Sequence, residues 1–267
     1  MPSISGPIDK MIASYTHIVH YSFVAGDNVV SLNEYLGHKI KIDYLHKILC
    51  VSCGKLTKKS FGQGFCYNCF VSAPDNAECI IHPEQCRAHL GLGRDPEWEE
   101  RNHNQPHHVY LSYTSNVKVG VTRNTQIPIR WIDQGATQAI VIANVPYRYL
   151  AGVMEVTLKE KFNDKTNWKR MLLNDGNNDI DLISFRDDIY NSIDEAFEPY
   201  MDSSSLPMHI KYPMLVQPTN IENLSLEKQS IVEGVLTGIK GQYLIINNKQ
   251  VINIRTFSGY YVQLDIL

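Results

Sequence analysis

Four of the chain's six cysteines stand as two C-x2-C pairs separated by twelve residues: Cys50 and Cys53, then Cys66 and Cys69, within "CVSCGKLTKKSFGQGFCYNC". Each C-x-x-C turn aims two thiolates at one point, and two such turns complete a tetrahedron around zinc. All four positions are thiolates, so the expected site is closed and its Zn2+ structural. Gly54 and the glycines of "GQGFC" give the backbone the freedom these tight turns require. The surrounding residues 50–105 are rich in Cys, His, Gly and Pro and poor in periodic pattern, so they need such a staple to be ordered. The competing reading is a set of reduced core cysteines that share this spacing by chance.

A second cluster follows in "CIIHPEQCRAH", where Cys79, His82, Cys86 and His89 mix thiol and imidazole donors. A second zinc is chemically allowed there. The pattern is weaker, because one helix cannot converge four ligands so close in sequence. Its alternative is two buried thiols with surface histidines. The N-terminus lacks a basic start followed by an apolar stretch, which predicts a cytoplasmic chain whose cysteines serve metal and not disulfides. No apolar run approaches the ~18 residues of a membrane span, so no membrane partner is expected.

The net charge of -3 does not advertise a nucleic-acid partner, but the distribution is uneven. Between Lys39 and Ser60 six lysines face one acid, Asp43. Three of them, Lys55, Lys58 and Lys59, lie between the two C-x-x-C pairs. They read either as a solvated face or as a patch that contacts the phosphates of DNA or RNA.

Hydrophobic periodicity predicts an α+β chain. Strands are expected in "THIVHYSFVAG" and "HKIKIDYLHKIL", then in "HHVYLSYT", "NVKVGVT" and "QAIVIANV", with a short helix at "IPIRWIDQG". "YRYLAGVMEVTLKEKF" puts Leu150, Ala151, Val153, Met154, Leu158 and Phe162 on one helical face. "DLISFRDDIYNSIDEAFEPY" reads as a further helix, and the remainder as strands with turns. The expected segments are an N-terminal β segment (1–49), a zinc-binding module (50–105), a central core (106–175), and a helix with a C-terminal β segment (176–267). The C-terminal strands have the option of pairing with the N-terminal ones.

The central stretch resembles the GIY-YIG endonuclease core, a strand–strand–helix–strand–helix unit. Tyr110 takes the place of the tyrosine on its first strand, and "KVG" (Lys118, Val119, Gly120) that of the second tripeptide, with Lys118 replacing a tyrosine. Arg130, with Arg123 as a rival, matches the helix arginine, and Glu155 matches the acid of the following helix. The resemblance covers roughly residues 107–168. It implies a phosphodiester hydrolase in which Glu155 holds Mg2+ or Mn2+, an arginine clamps the phosphate and Tyr110 serves as base. The residues alone also allow a core tyrosine at Tyr110, and a Glu155 salt bridge to Arg123, Arg130 or Arg148. On that reading the chain is a zinc-stapled DNA- or RNA-binding or interaction protein without catalysis. Longer phrases, "KLTKKSFGQGFCYNC", "VKVGVTRNTQIPIRWIDQGA", "DKTNWKRML" and "GIKGQYLI", resemble an uncharacterised bacterial family of unknown function, which brings no activity with it. "GIKGQYLI" lacks P-loop spacing and reads as a hairpin turn.

Overall fold

The structure is a computed structural model describing residues 2–159, 167–173 and 180–267. Phe162, expected on the apolar helical face, lies outside the described residues. The chain begins with β1 (Ser3–Pro7), β2 (Ile12–Tyr15), β3 (Val19–Ala25), β4 (Asn28–Ser31), β5 (Lys39–Leu49), β6 (Leu56–Thr57) and α1 (Tyr67–Ser72). Next come α2 (Pro96–Asn102), β7 (His107–Tyr113), β8 (Val117–Arg123), α3 (Ile129–Asp133), β9 (Gln138–Val145), α4 (Arg148–Lys159), α5 (Trp168–Leu173), α6 (Leu182–Tyr190) and β10 (Met208–His209). It ends with β11 (Glu222–Asn223), β12 (Ile231–Lys240), β13 (Tyr243–Ile246), β14 (Gln250–Asn253) and β15 (Tyr260–Ile266). These elements form two compact units, one of Met1–Ala73 with Lys211–Leu267 and one of Pro74–Ile210. The 50–105 stretch is therefore divided between them.

In the first unit the main sheet runs β1-β15-β5-β12-β13-β14-β11, with β6 also on β5. The two-residue period is plain in β15, where Tyr260, Val262, Leu264 and Ile266 are buried and the residues between them are partly exposed. β5 follows the same rule through Ile40, Ile42 and Tyr44. There the register breaks: Val262 faces Tyr44 but Tyr260 faces Ile48, so exposed Leu45, His46 and Lys47 bulge out, with His46 at φ 56°. Because the bulge adds two residues, the inward phase is kept at Ile48 and Cys50. The N- and C-terminal strands do pair, with Ser3 opposite Asp265 and Val232 opposite Ile42. A smaller sheet, β2-β3-β4, buries Tyr21 and Phe23 completely.

In the second unit β7 is central in a four-stranded antiparallel sheet, β10-β9-β7-β8. Val109, Leu111, Ile140 and Ile142 of this sheet form one core with Ala151, Met154 and Leu158 of α4. The single helix expected over 181–200 is broken. The Ser192 hydroxyl donates to the Asp188 carbonyl at 2.8 Å, and the Asp194 carboxylate accepts from the Ala196 N–H at 2.9 Å, capping a separate 3-10 turn at Glu195–Tyr200. Such short polar side chains compete with the helix ladder. Among the described residues no helix is long and apolar enough to cross a membrane.

Candidate metal centre and the buried tyrosine cluster

β5 delivers Cys50, only 2% exposed, to the first knuckle. The Cys50 N–H donates to the Lys55 carbonyl and the Gly54 N–H to the Cys50 carbonyl, each at 2.8 Å. Gly54 sits at φ 69°, where a side chain would be strained. In the second knuckle Phe61 and Phe65 exchange two backbone hydrogen bonds of 2.9 Å, and Cys66 starts α1, which carries Cys69. The knuckles meet at Gly64, where a Cβ would lie 2.4 Å from Val51 Cγ1 and 2.8 Å from the Ser258 carbonyl oxygen. All four Sγ atoms fall within 4.8 Å of one another, and Cys53 and Cys66 are 4.0 Å apart. Zinc–thiolate bonds of ~2.3 Å require tetrahedral edges of ~3.8 Å, so the tetrad could hold a metal such as zinc.

The thiols resist ionising together. Burial pushes Cys50 up, yet backbone N–H groups of Cys66, Cys53 and Ser52 outweigh it and bring the thiol down to about 6. Burial and the neighbouring thiols of Cys53 and Cys66 push Cys69 up to about 12. A divalent cation is the species that lets all four carry charge at once.

The loop between the knuckles presents Lys55, Lys58 and Lys59 to solvent, and among the described residues no acid forms an ion pair with them. Lys39 and Lys41, by contrast, pair with Glu233 and Asp43. Lys59 Nζ stands 5.3 Å from the Phe61 ring centroid, and Phe61 meets Tyr67 edge-on at 5.5 Å. Tyr67 is 60% exposed. Ser60 and Gln63 of the same loop line a cleft of about 340 Å³ together with Asn223, Ser225, Asn253 and Thr256.

The residues expected to be catalytic lie in the second unit. Tyr110 is fully buried, meets Trp131 edge-on at 5.9 Å, and donates its hydroxyl to Gln134 Oε1 at 3.3 Å. It faces Gly120, where a Cβ would come 2.6 Å from the phenol oxygen; the glycine makes room for the ring. Burial raises the hydroxyl above its ordinary value, and the adjacent Arg130 and Gln134 only partly offset this. The phenol is thus held protonated at neutral pH. Glu155, 8% exposed, reaches Lys159 Nζ at 3.5 Å and lies within electrostatic range of Tyr110 and Arg148. Arg130 and Glu155 thus both act electrostatically on Tyr110. Arg123 is turned elsewhere, its Nη1 donating to Asn102 Oδ1 at 2.5 Å, and Lys118 pairs across the hairpin with Ser112.

The second cysteine cluster is rearranged. Cys79 and Cys86 come together with Glu99 and His103, all four donor atoms within 4.8 Å of one another. His82 instead faces Glu84, Nδ1 to Oε1 3.3 Å. His89 stacks on Tyr147 and Tyr149 at 5.0 and 4.8 Å. The missed signal is E-x3-H in "EERNH", an i,i+4 pair that places Glu99 and His103 on one face as α2 ends. Asp95, whose carboxylate accepts from the Trp98 N–H at 3.0 Å, marks where that helix begins.

In class this is a mixed α+β protein with several sheets, carrying a four-cysteine cluster fit for metal in one unit and a buried tyrosine cluster in the other. It belongs to the family described as "Protein of unknown function (DUF2797)", whose model matches residues 37–262. No curated protein and no solved structure matches the chain.

Proposed function

We propose that this protein binds single-stranded nucleic acid through a loop stapled by a structural zinc ion. The observation that carries the reading is the composition of that loop: Lys55, Lys58 and Lys59 are exposed and, among the described residues, have no acidic ion-pair partner, and Tyr67 stands exposed in the same module. Lysines supply sequence-independent phosphate contacts, and an exposed aromatic ring supplies a stacking surface. The adjacent cleft adds amide and hydroxyl groups suited to base edges, together with one acid, Glu227, whose Oε1 accepts from the Tyr260 hydroxyl at 2.6 Å. Zinc suits a four-thiolate set because it is tetrahedral and redox-inert.

The test is fluorescence anisotropy on labelled single-stranded DNA and RNA across a salt series. Three lost phosphate contacts at ~0.7 unit each should flatten the log K against log [salt] slope of the Lys55→Ala/Lys58→Ala/Lys59→Ala variant by ~2 units. Over a fourfold change in salt that is a difference of about 20-fold. Tyr67→Ala should weaken binding at every salt concentration without changing the slope. An unchanged slope in the triple variant leaves the lysines as a solvated face and removes the proposal.

The electrostatic coupling of Tyr110 to Arg130 and Glu155 favours a second reading, phosphodiester hydrolysis of the GIY-YIG type with Mg2+ or Mn2+ at Glu155. Full burial of the tyrosine ranks it below binding. Cleavage of an oligonucleotide by wild type with Mg2+ or Mn2+, abolished in Glu155→Gln, would reverse that order.

A further inference from the structure

We propose a second zinc site in the Pro74–Ile210 unit, formed by Cys79 Sγ, Cys86 Sγ, a Glu99 carboxylate oxygen and His103 Nδ1. The four donors come from two short pieces of chain, the turn-rich loop Cys79–Cys86 and the end of α2, and their atoms lie within 4.8 Å of one another. Three of the residues are almost wholly removed from solvent: Cys86 at 1%, Glu99 at 2% and His103 at 3% exposure.

A carboxylate that deep needs a compensating charge, and among the described residues Glu99 has His103 as its one ion-pair partner. The geometry separates metal binding from the obvious alternative, a cysteine nucleophile with a histidine base. In a relay of that kind thiol and acid occupy opposite ring nitrogens. Here Glu99 Oε2 and Cys79 Sγ, the latter at 3.9 Å, both face Nδ1 of His103. Donors converging on one point describe a coordination site.

Charge and packing agree with this. Two thiolates and a carboxylate around Zn2+ leave one net negative charge. Arg148 supplies the opposite one beside it, donating from Nε and Nη2 to the Cys79 carbonyl at 3.1 and 2.9 Å and from Nη2 to the Ile80 carbonyl at 2.9 Å. The Arg148 N–H also donates to the His103 carbonyl at 2.9 Å, so one residue holds both pieces of chain. Gly93 leaves the space into which the Glu99 side chain folds; a Cβ there would lie 2.3 Å from Glu99 Cγ. Trp98 sets its ring edge-on to His103 at 4.9 Å and 88°. Sulfur, nitrogen and oxygen donors in a closed set of four select zinc in a structural role.

The experiment is elemental analysis of the full chain purified under reducing conditions. Wild type should carry two zinc ions per chain, and Cys53→Ser, Glu99→Ala and His103→Ala one each. His82→Ala and His89→Ala should keep two. If His103→Ala does not fold, His103→Cys restores a donor and should hold two. A wild type with one zinc that survives Cys53→Ser but not His103→Ala would support this site and remove the four-cysteine one. One zinc that Cys53→Ser abolishes, two that neither Glu99→Ala nor His103→Ala reduces, or thiol counting that finds Cys79 and Cys86 joined by a disulfide would each overturn the proposal.

Discussion

Replacing Gly152 by alanine sets two effects against each other. In the interior of α4 the change raises helix propensity by about 1 kcal/mol. Yet the new Cβ would lie 2.2 Å from the Glu84 backbone nitrogen and 2.3 Å from the Pro83 carbonyl carbon. An ordinary contact begins near 3.4 Å, so the turn must retreat by about 1.2 Å. Backbone cannot rotate aside as a side chain can, and Arg148 holds the same loop through the Cys79 and Ile80 carbonyls. Overpacking of this kind costs about 3 kcal/mol at the upper end of its range, leaving a net loss of about 2 kcal/mol. For the 137 residues of Pro74–Ile210 that corresponds to a fall in Tm of about 7 °C. The assay is specific to the unit, because the chain's three tryptophans, Trp98, Trp131 and Trp168, all lie within it. Tryptophan fluorescence through a thermal or urea transition reads the loss, with exposed Val156→Ala on the same helix as a control within about 0.5 kcal/mol. A Gly152→Ala midpoint equal to or above wild type would refute the packing argument.

Cys53→Ser should lose metal from the four-cysteine cluster and lower the stability of the first unit sharply, because closed sites contribute folding free energy; elemental analysis with circular dichroism reads both. Asp202 is pushed up by burial but brought down to about 2 by Ser204 and Ser205. Its folded value lies below its unfolded one, so its stabilisation is present above about pH 4 and is lost as pH falls towards 2. After allowance for solvent screening it is worth about 1 kcal/mol, and acid titration of wild type against Asp202→Asn measures it. Lys240, 3% exposed, is lowered by burial to about 8. Its charged form is disfavoured in the fold, so stability should rise between pH 8 and 10.5. Lys240→Met should lack that rise and be more stable at pH 7, less whatever the Lys240 Nζ contact with the Tyr212 ring at 5.4 Å contributes.

What the sequence made legible was local. The spacing of Cys50, Cys53, Cys66 and Cys69 names its own geometry, because each pair is fixed by one turn. The alternation of β5 and β15 was equally plain, but a two-residue period does not name a partner more than two hundred residues away. The bulge at His46 leaves no mark in composition. His82 and His89 are near the two cysteines in sequence but not at the cluster, while Glu99 and His103 sit at a helical spacing on an element too short to show a period. The helix expected over 181–200 had the right apolar residues; Ser192 and Asp194 end it by offering the backbone other partners. A core tyrosine at Tyr110 was one of two readings the residues allowed; alternation alone does not choose between them, because it does not reveal that both faces of β7 are covered.

The way the first unit is assembled sets a timetable for its birth on the ribosome. Its sheet needs β1 beside β15, with Ser3 meeting Asp265, while the second unit is one unbroken run of 137 residues. Synthesis proceeds from the N-terminus, and domains fold as units once their residues have emerged. The Pro74–Ile210 unit can therefore close first, while β5 still waits for the β12 and β15 that flank it. Until they arrive, both edges of β5 offer unpaired backbone groups to any other strand, a hazard for a nascent chain. The C-x-x-C pairs emerge directly behind β5, and an ion taken up there would pull the β5–β6 hairpin together and occupy part of one edge early. A metal staple at this tetrad would have a use in time as well as in place.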